Sequence, residues 1–273
     1  MNSLMLNTDG VQIPQLGFGV WQIPDNKAEQ AVRTAFEAGY RHVDTAAAYG
    51  NEEGVGRAVR ASGLPREKVF VTTKLWNADH ERAEQAFDES LARLGLDYVD
   101  LFLIHWPVPK RDKYVQAWKD LEKIYRDGRA KAIGTSNFTV ETLTRLMDET
   151  GIRPSINQIE LHPYLQQRQM RAFHEANGIL TEAWSPLGQG QGLLDDPALR
   201  VLSDKYAKTP AQIVLRWHLQ LGNVAIPKSA DPSRIKENID VFRFILDAED
   251  MAAIGALNRG KRIGPDPDTF SMT

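Results

Sequence analysis

Residues 68–105 read KVFVTTKLWNADHERAEQAFDESLARLGLDYVDLFLIH. The stretch opens on one apolar run, KVFVTTK (68–74), and ends on another, YVDLFLIH (98–105). Between them Ala83, Ala86, Phe87, Leu91 and Leu94 recur at helical spacing, which predicts a helix over 79–94. Both flanking runs are continuously apolar rather than alternating, as strands of a parallel sheet covered on both faces must be. The same strand–helix unit repeats in both directions. Upstream, LMLN (4–7) and VQIP (11–14) flank Thr8-Asp9-Gly10 and predict a hairpin turning at Asp9-Gly10. LGFGV (16–20) is a short strand, and residues 26–38 form a helix stopped by Gly39. RHVDT (41–45) is a strand and 51–61 a helix. Downstream come a helix over 113–127, a strand over 130–136, a helix over 139–149, a strand over 155–160 and a helix over 166–176. A strand over 179–185, helices over 197–207 and 210–221, a last strand over 223–228 and helices over 231–238 and 247–258 complete the chain.

Eight strands, each followed by a helix, predict an α/β (β/α)8 TIM barrel with extra C-terminal helices. The competing architecture is an open doubly wound sheet. Its nucleotide fingerprint is missing, since Gly17-Phe18-Gly19 is followed by Val-Trp-Gln rather than by further glycine. The phosphate-loop, zinc-protease and serine-elbow motifs are absent as well. With 273 residues and no linker-like segment, a single domain over 1–273 is expected. The net charge of −3 argues against a strongly basic nucleic-acid binder. The lack of cysteine excludes disulfides, thiolate metal sites and a cysteine nucleophile. MNSLMLNTDG does not read as a signal peptide, and no apolar run is long enough to span a membrane. The chain is therefore expected in the cytoplasm.

In a barrel the C-terminal ends of the strands build the active site. Those ends carry Asp44, Lys74, His105 and Ser136-Asn137, then Gln158 and Glu160, Trp184-Ser185, and Lys228-Ser229. Charged groups at the ends of apolar strands are costly unless paired, so mutual pairing around a cleft is expected. Taken singly, each has a plainer reading. Asp44 could cap a helix, His105 could be a satisfied core histidine and Tyr49 could be packing. Together, an acid, a lysine, a histidine and a nearby tyrosine suit proton donation to an oxygen that is gaining negative charge. The lysine would draw the tyrosine pKa down, the aspartate would hold the lysine, and a neutral histidine would orient the substrate oxygen. No side chain supplies a hydride, so a cofactor must. Lys228, Ser229, Arg234 and Asn238 around the last strand and the following helix start suit a phosphate. The plainer reading there is a solvated basic helix start.

DTAAAYGNEEGVGRA (44–58), TTKLW (72–76), LIHWP (103–107), GTSNF (134–138), NQIELHP (157–163) and IPKSADPSRIKEN (226–238) occur in one order along the chain. Together they resemble the aldo-keto reductase family. YGNEEGVG, TTKLWN, PLGQG and KTPAQIVLRWHLQ resemble its bacterial 2,5-diketo-D-gluconate reductase subgroup most closely. The resemblance implies a monomeric barrel whose bottom is closed by the hairpin, with NADPH bound and no Rossmann domain. It implies Tyr49 as general acid, Lys74 and Asp44 as its tuners and His105 as the group that orients the carbonyl. It implies Ser136, Asn137 and Gln158 on the nicotinamide carboxamide, with Trp184 stacked on the ring. Ser185, Leu187 and Gly188 would follow the pyrophosphate. Lys228, Ser229 and Arg234 would take the 2′-phosphate, with Glu237 and Asn238 on the adenine. Trp21, Trp76, Trp106 and Asn137 would line the substrate mouth. The short 184–197 loop and the brief tail after Arg259 suggest an open pocket and broad specificity. The substrate would be a small carbonyl compound, such as 2,5-diketo-D-gluconate or methylglyoxal, with no metal, nucleic acid or membrane involved.

Two other readings remain at this point. Lys74 could form a Schiff base, as in class I aldolases, although Asp44 beside it would keep the amine protonated. Alternatively, the barrel could hold NADPH as a non-catalytic sensor subunit.

Overall fold

The computed structural model describes residues 4–8 and 10–273. The predicted turn partner Asp9 lies outside the described residues. The hairpin strands β1 (Met5–Thr8) and β2 (Val11–Pro14) pair antiparallel. Eight parallel strands follow, each hydrogen-bonded to the next in chain order. They are β3 (Phe18–Gly19), β4 (His42–Asp44), β5 (Phe70–Leu75), β6 (Val99–Ile104), β7 (Ala130–Ser136), β8 (Ile156–Glu160), β9 (Leu180–Trp184) and β10 (Val224–Ala225). The two edges of the sheet meet. Leu16 bridges Ala225 in parallel, and the Gly17 and Gly19 amides donate to the Ala225 and Pro227 carbonyls. The sheet therefore closes on itself, which is the predicted (β/α)8 barrel.

The helices cover the outside: α1 (Asp25–Ala38), α2 (Glu52–Ala61), α3 (Ala83–Leu94), α4 (Tyr114–Arg126), α5 (Val140–Glu149), α6 (Arg168–Ala176), α7 (Pro197–Tyr206), α8 (Pro210–Gln220), α9 (Pro232–Asn238) and α10 (Ala248–Gly255). Their inward faces carry the apolar positions the sequence spacing picks out. α3, for instance, buries Ala83, Ala86, Phe87 and Leu94. Burying a Phe or Leu side chain contributes roughly 1.5–3 kcal/mol. Inside the lower end of the barrel, Phe70, Leu101, Leu103, Ala132, Ile156 and Val224 form an apolar plug capped by Ile13 of the hairpin.

Several predicted boundaries shift. The strand over 223–228 shortens to Val224–Ala225 and that over 16–20 to Phe18–Gly19. At this seam the closing bonds run through single residues rather than a long ladder. The predicted helix over 79–94 opens as a tight turn, Asn77–Arg82, before α3 begins. Arg111 donates to the Asn77 carbonyl and Arg82 to Asp79, and these contacts hold the turn in place.

Candidate active site

Asp44 and Lys74 stand at adjacent strand ends and meet inside the barrel mouth. Lys74 Nζ donates to Asp44 Oδ1 at 2.6 Å and to the Thr45 carbonyl at 2.8 Å, with both side chains essentially without solvent contact. Its third contact is the Tyr49 hydroxyl at 3.4 Å. Tyr49 reaches this position from a single turn, Ala47–Tyr49, that ends at Gly50 with φ +63. Asn51 pins the turn from behind. It accepts from the Thr45 hydroxyl at 2.7 Å and donates to the Val20 and Ile23 carbonyls. His105 stacks edge-on against the Tyr49 ring at 5.7 Å and the Trp76 ring at 5.3 Å. The acid, lysine, tyrosine and histidine named from the sequence thus converge on one point.

The electrostatics follow from burial. Burial works against the Lys74 ammonium, but Asp44 and Tyr49 outweigh it and hold the lysine above its usual range. Burial together with Lys74 pushes His105 well below the ordinary imidazole value, so it is neutral, and its Nδ1 has no partner. Tyr49 corrects one expectation. Lys74 does pull its pKa down, but burial is the larger effect and the net direction is up. The phenol therefore stays protonated across the neutral range, which suits a proton donor better than a tyrosinate would.

Beneath this group lies a layer of which the sequence reading picked out only Gln158. Gln158 donates through Nε2 to Asp44 Oδ2 at 2.8 Å and to Glu182 Oε2 at 2.9 Å. Its amide hydrogens are spent on carboxylates, which leaves its carbonyl oxygen as the group it can offer a ligand. Burial pushes Glu182 up to about 8, and Asp44 adds to this. His42 is wholly buried and held near 4 chiefly by desolvation. Glu182 and His42 sit within runs that read as apolar strand, so their only mark in the sequence is an ionisable side chain inside a buried segment.

On the far side of the mouth Ser136, Asn137 and Trp184 come together. Ser136 Oγ donates to the Gln158 main-chain carbonyl at 3.0 Å. Asn137 donates to Ser136 Oγ and to the His105 carbonyl, and accepts from the Trp184 indole at 2.8 Å. Ser185 has φ +50 and its hydroxyl accepts from Gln189 at 2.5 Å, while the Gly188 amide bonds back to the Ser185 carbonyl. Leu187 packs half-buried behind them.

Lys228 and Arg234 are exposed, and neither forms an ion pair among the described residues. The helix start beside them differs from expectation. Asp231 caps α9, taking the Ser233 and Arg234 amides, and Ser229 bonds to the Asp231 backbone. What the place offers an anion is therefore the two side-chain cations and not free helix amides. Glu237 accepts from Thr209, and Asn238, the last residue of α9, is buried.

Trp21 is exposed, Trp76 lies edge-on to His105, and Trp106 is buried against Phe270. The expectation of an open mouth is corrected by the tail. Glu160 accepts the Ile263 and Gly264 amides at 2.7 Å each. Phe270 lies 4.3 Å from Trp106, and Asn77 donates to the Met272 carbonyl at 2.7 Å. The segment after Arg259 is short in sequence but runs as a strap from the end of β8 to the loops after β5 and β6. Gly264 is required where it crosses Trp184, because a Cβ there would collide with the indole.

A closed parallel barrel with a buried Asp–Lys pair, a tyrosine hydroxyl and a neutral histidine at its C-terminal mouth is the architecture of a barrel enzyme. Residues 15–259 match the Aldo/keto reductase family, and the chain belongs to it. It is 55% identical over 263 residues to a methylglyoxal reductase, DkgA, of Escherichia coli K12, covering 96% of each chain. It is 54% identical over 267 residues to an aldo-keto reductase of Mycolicibacterium smegmatis, covering 97% of each. Among solved structures it resembles an aldo/keto reductase from Brucella melitensis, with a TM-score of 0.92, 53% identity, and 94% of this chain and 99% of that one covered. It also resembles a variant of Gox0644 crystallised in complex with NADPH, with a TM-score of 0.95, 46% identity and 99% of each chain covered. Among the described residues no helix is long and apolar enough to cross a membrane.

Proposed function

We propose that this chain is an NADPH-dependent reductase of small aldehydes and ketones, with Tyr49 as the general acid. The observation that carries the reading is the buried Lys74 ammonium, held between Asp44 and the Tyr49 hydroxyl. Bound NADPH supplies the hydride that reduces the carbonyl carbon. Tyr49 donates a proton to the carbonyl oxygen as negative charge develops there. Lys74 stabilises the tyrosinate left behind, and Asp44 keeps Lys74 in place and charged. Neutral His105 positions the oxygen without competing for the proton.

Residues suited to the cofactor are present. Ser136, Asn137, the Gln158 carbonyl and Trp184 would hold the nicotinamide end. Ser185, Leu187 and Gly188 would take the pyrophosphate, and Glu237 and Asn238 the adenine. Lys228, Ser229 and Arg234 would hold the 2′-phosphate, and the two unpaired cations there favour NADPH over NADH. The relatives named methylglyoxal reductases support small dicarbonyls as substrates, with 2,5-diketo-D-gluconate the other candidate. The full proposal is a single-domain, monomeric, cytoplasmic enzyme. The Schiff-base alternative would need a free amine at Lys74, whereas its three contacts hold an ammonium.

The test is Tyr49→Phe. NADPH titration followed by tryptophan fluorescence should remain normal and tighter than with NADH, while turnover of methylglyoxal falls by about a hundredfold or more. Near-normal turnover in the variant would remove Tyr49 from the acid role. Lack of quenching by either cofactor in the wild type would remove the cofactor assignment.

A further inference from the structure

Glu182 lies in the middle of β9 with its side chain wholly buried, and the reaction above gives it no part. Its Oε2 accepts from Gln158 Nε2, the same nitrogen that donates to Asp44 Oδ2. Its Oε1 has no hydrogen-bond partner. His42 Nε2 faces it at 3.8 Å, beyond hydrogen-bond reach. That imidazole is neutral, and it is already committed to the Pro14 carbonyl through Nδ1 and the Thr72 hydroxyl through Nε2.

The charges around Glu182 can be followed element by element. β4 contributes Asp44 and neutral His42, and the turn after it contributes Tyr49. β5 contributes Lys74 and the hydroxyl of Thr72, and β8 contributes uncharged Gln158. β10, paired beside it, offers only Val224 and Ala225. One cation thus faces two carboxylates in a space without solvent. Asp44 has a donor on each oxygen, whereas Glu182 has a donor on one oxygen only. A bare carboxylate oxygen in a dry interior costs several kcal/mol, and a proton removes that cost.

We propose that Glu182 carries the proton that leaves this cluster electrically neutral, and that it acts as a positioning residue for Tyr49 through Gln158, Asp44 and Lys74. With Glu182 neutral, the Lys74 charge is balanced by Asp44 alone and remains available to a tyrosinate. When Glu182 loses its proton to solvent, a second anion lies beneath Lys74 and Tyr49, and Tyr49 parts with its proton less readily. The effect on turnover rests on the reading of Tyr49 as the acid. The charge assignment itself does not.

The experiment compares the wild type with Glu182→Gln, which keeps an acceptor for Gln158 and cannot titrate. The first readout is thermal stability. The carboxyl of Glu182 ionises near 4.5 in the unfolded chain and higher in the folded one. Stability is therefore lost as pH rises between the two values. The wild-type Tm should fall relative to Glu182→Gln from about pH 5 to about pH 8 and then run parallel to it. A Tm difference that does not change with pH would overturn the proposal.

The second readout is kcat for methylglyoxal with NADPH. The wild type should lose about tenfold between roughly pH 7 and pH 9, the effect of a one-unit rise in the Tyr49 pKa, and Glu182→Gln should lack that limb. The same limb in both proteins would overturn the link to Tyr49. If neither protein reduces any carbonyl, the reductase reading fails while the Tm comparison still decides the charge of Glu182.

If Glu182→Gln does not fold, infrared spectroscopy of Asp100→Asn replaces the comparison, because Asp100 is the other carboxyl that burial holds up among the described residues. A carboxylic-acid carbonyl band that disappears above about pH 8 is expected. Its absence at about pH 7 would overturn the proposal.

Discussion

Lys74 and Asp44 meet at 2.6 Å with almost no exposed surface, so neither charge is solvated and each depends on the other. A buried pair of this kind adds little net stability while it is whole. Removing one partner strands the other charge and costs roughly 3–5 kcal/mol. Lys74→Met should therefore destabilise the fold by about that amount, because Asp44 would keep only the Gln158 donor. Asp44→Asn combined with Lys74→Met should recover much of the loss, since no unpaired charge is left. Urea denaturation of the two single variants and the double variant measures this. If the double variant lost the sum of the single losses, the pair would not be coupled in the way its geometry indicates. Asp44, Lys74 and His105 were legible in the sequence because each interrupts the end of an apolar strand, about one strand–helix unit from the next. Glu182 and His42 were not, because each sits inside such a run, where one charged residue cannot be told from a tolerated core polar group. The net direction of the Tyr49 shift was also hidden, because it depends on how deep the hydroxyl lies and not on which residues surround it.

The strap after Arg259 is fastened at three places along its length. The Arg259 and Lys261 amides reach the Tyr164 carbonyl, the Ile263 and Gly264 amides reach Glu160, and the far end rests on Trp106 and Asn77. Glu160 is the strongest of these anchors, since it is buried and accepts two charge-assisted bonds besides that of His162. Burial works against its charge, but His162 and the two strap amides outweigh it and hold the carboxyl below its usual range. The strap's hold is therefore complete above the ordinary carboxylate value and is lost as pH falls through the lower, folded one. Hydrogen bonds to charged groups contribute about 1.5–3 kcal/mol each. Glu160→Ala should therefore raise the open population of the strap by about tenfold or more, with a matching rise in tryptic cleavage at Arg259, Lys261 and Arg262. An unchanged cleavage rate would mean that the Phe270 and Met272 contacts hold the strap alone. The barrel helices and strands announced themselves by apolar periodicity. The strap did not, because its amides bond to the Glu160 side chain and to the lone Tyr164 carbonyl rather than along a regular ladder, and its Phe270 ring meets Trp106 across the mouth. A polar, glycine-containing tail carries no period from which that path could be read.

Across the whole molecule, the six histidines share one property, which is that all are buried. Desolvation holds His42, His80 and His174 near 4 and His218 near 3, and burial with Lys74 holds His105 well below its ordinary value. In the unfolded chain each would titrate near 6.5. Above that pH both states are neutral at these five positions, and the histidines have no effect on stability. Below it the unfolded chain takes up protons that the folded chain refuses, so stability falls with pH until the folded values near 4 are reached. For His42, His80 and His174 the difference between about 4 and 6.5 corresponds to roughly 3 kcal/mol each by the lower end of that window. Glu182 and Asp100 act in the opposite sense, because burial keeps protons on them in the folded state. With five groups on one side and two on the other, the histidines dominate. Unfolding near pH 5.5 should take up about three protons per chain, and the urea midpoint should drop steeply between about pH 6.5 and pH 4.5. Calorimetric unfolding in buffers of different ionisation enthalpy counts those protons directly. An uptake below about one proton would mean that the buried imidazoles are already charged in the folded protein. His105 would then enter the reaction as a cation beside Lys74, and its proposed role of placing the substrate oxygen without competing with Tyr49 would fail with it.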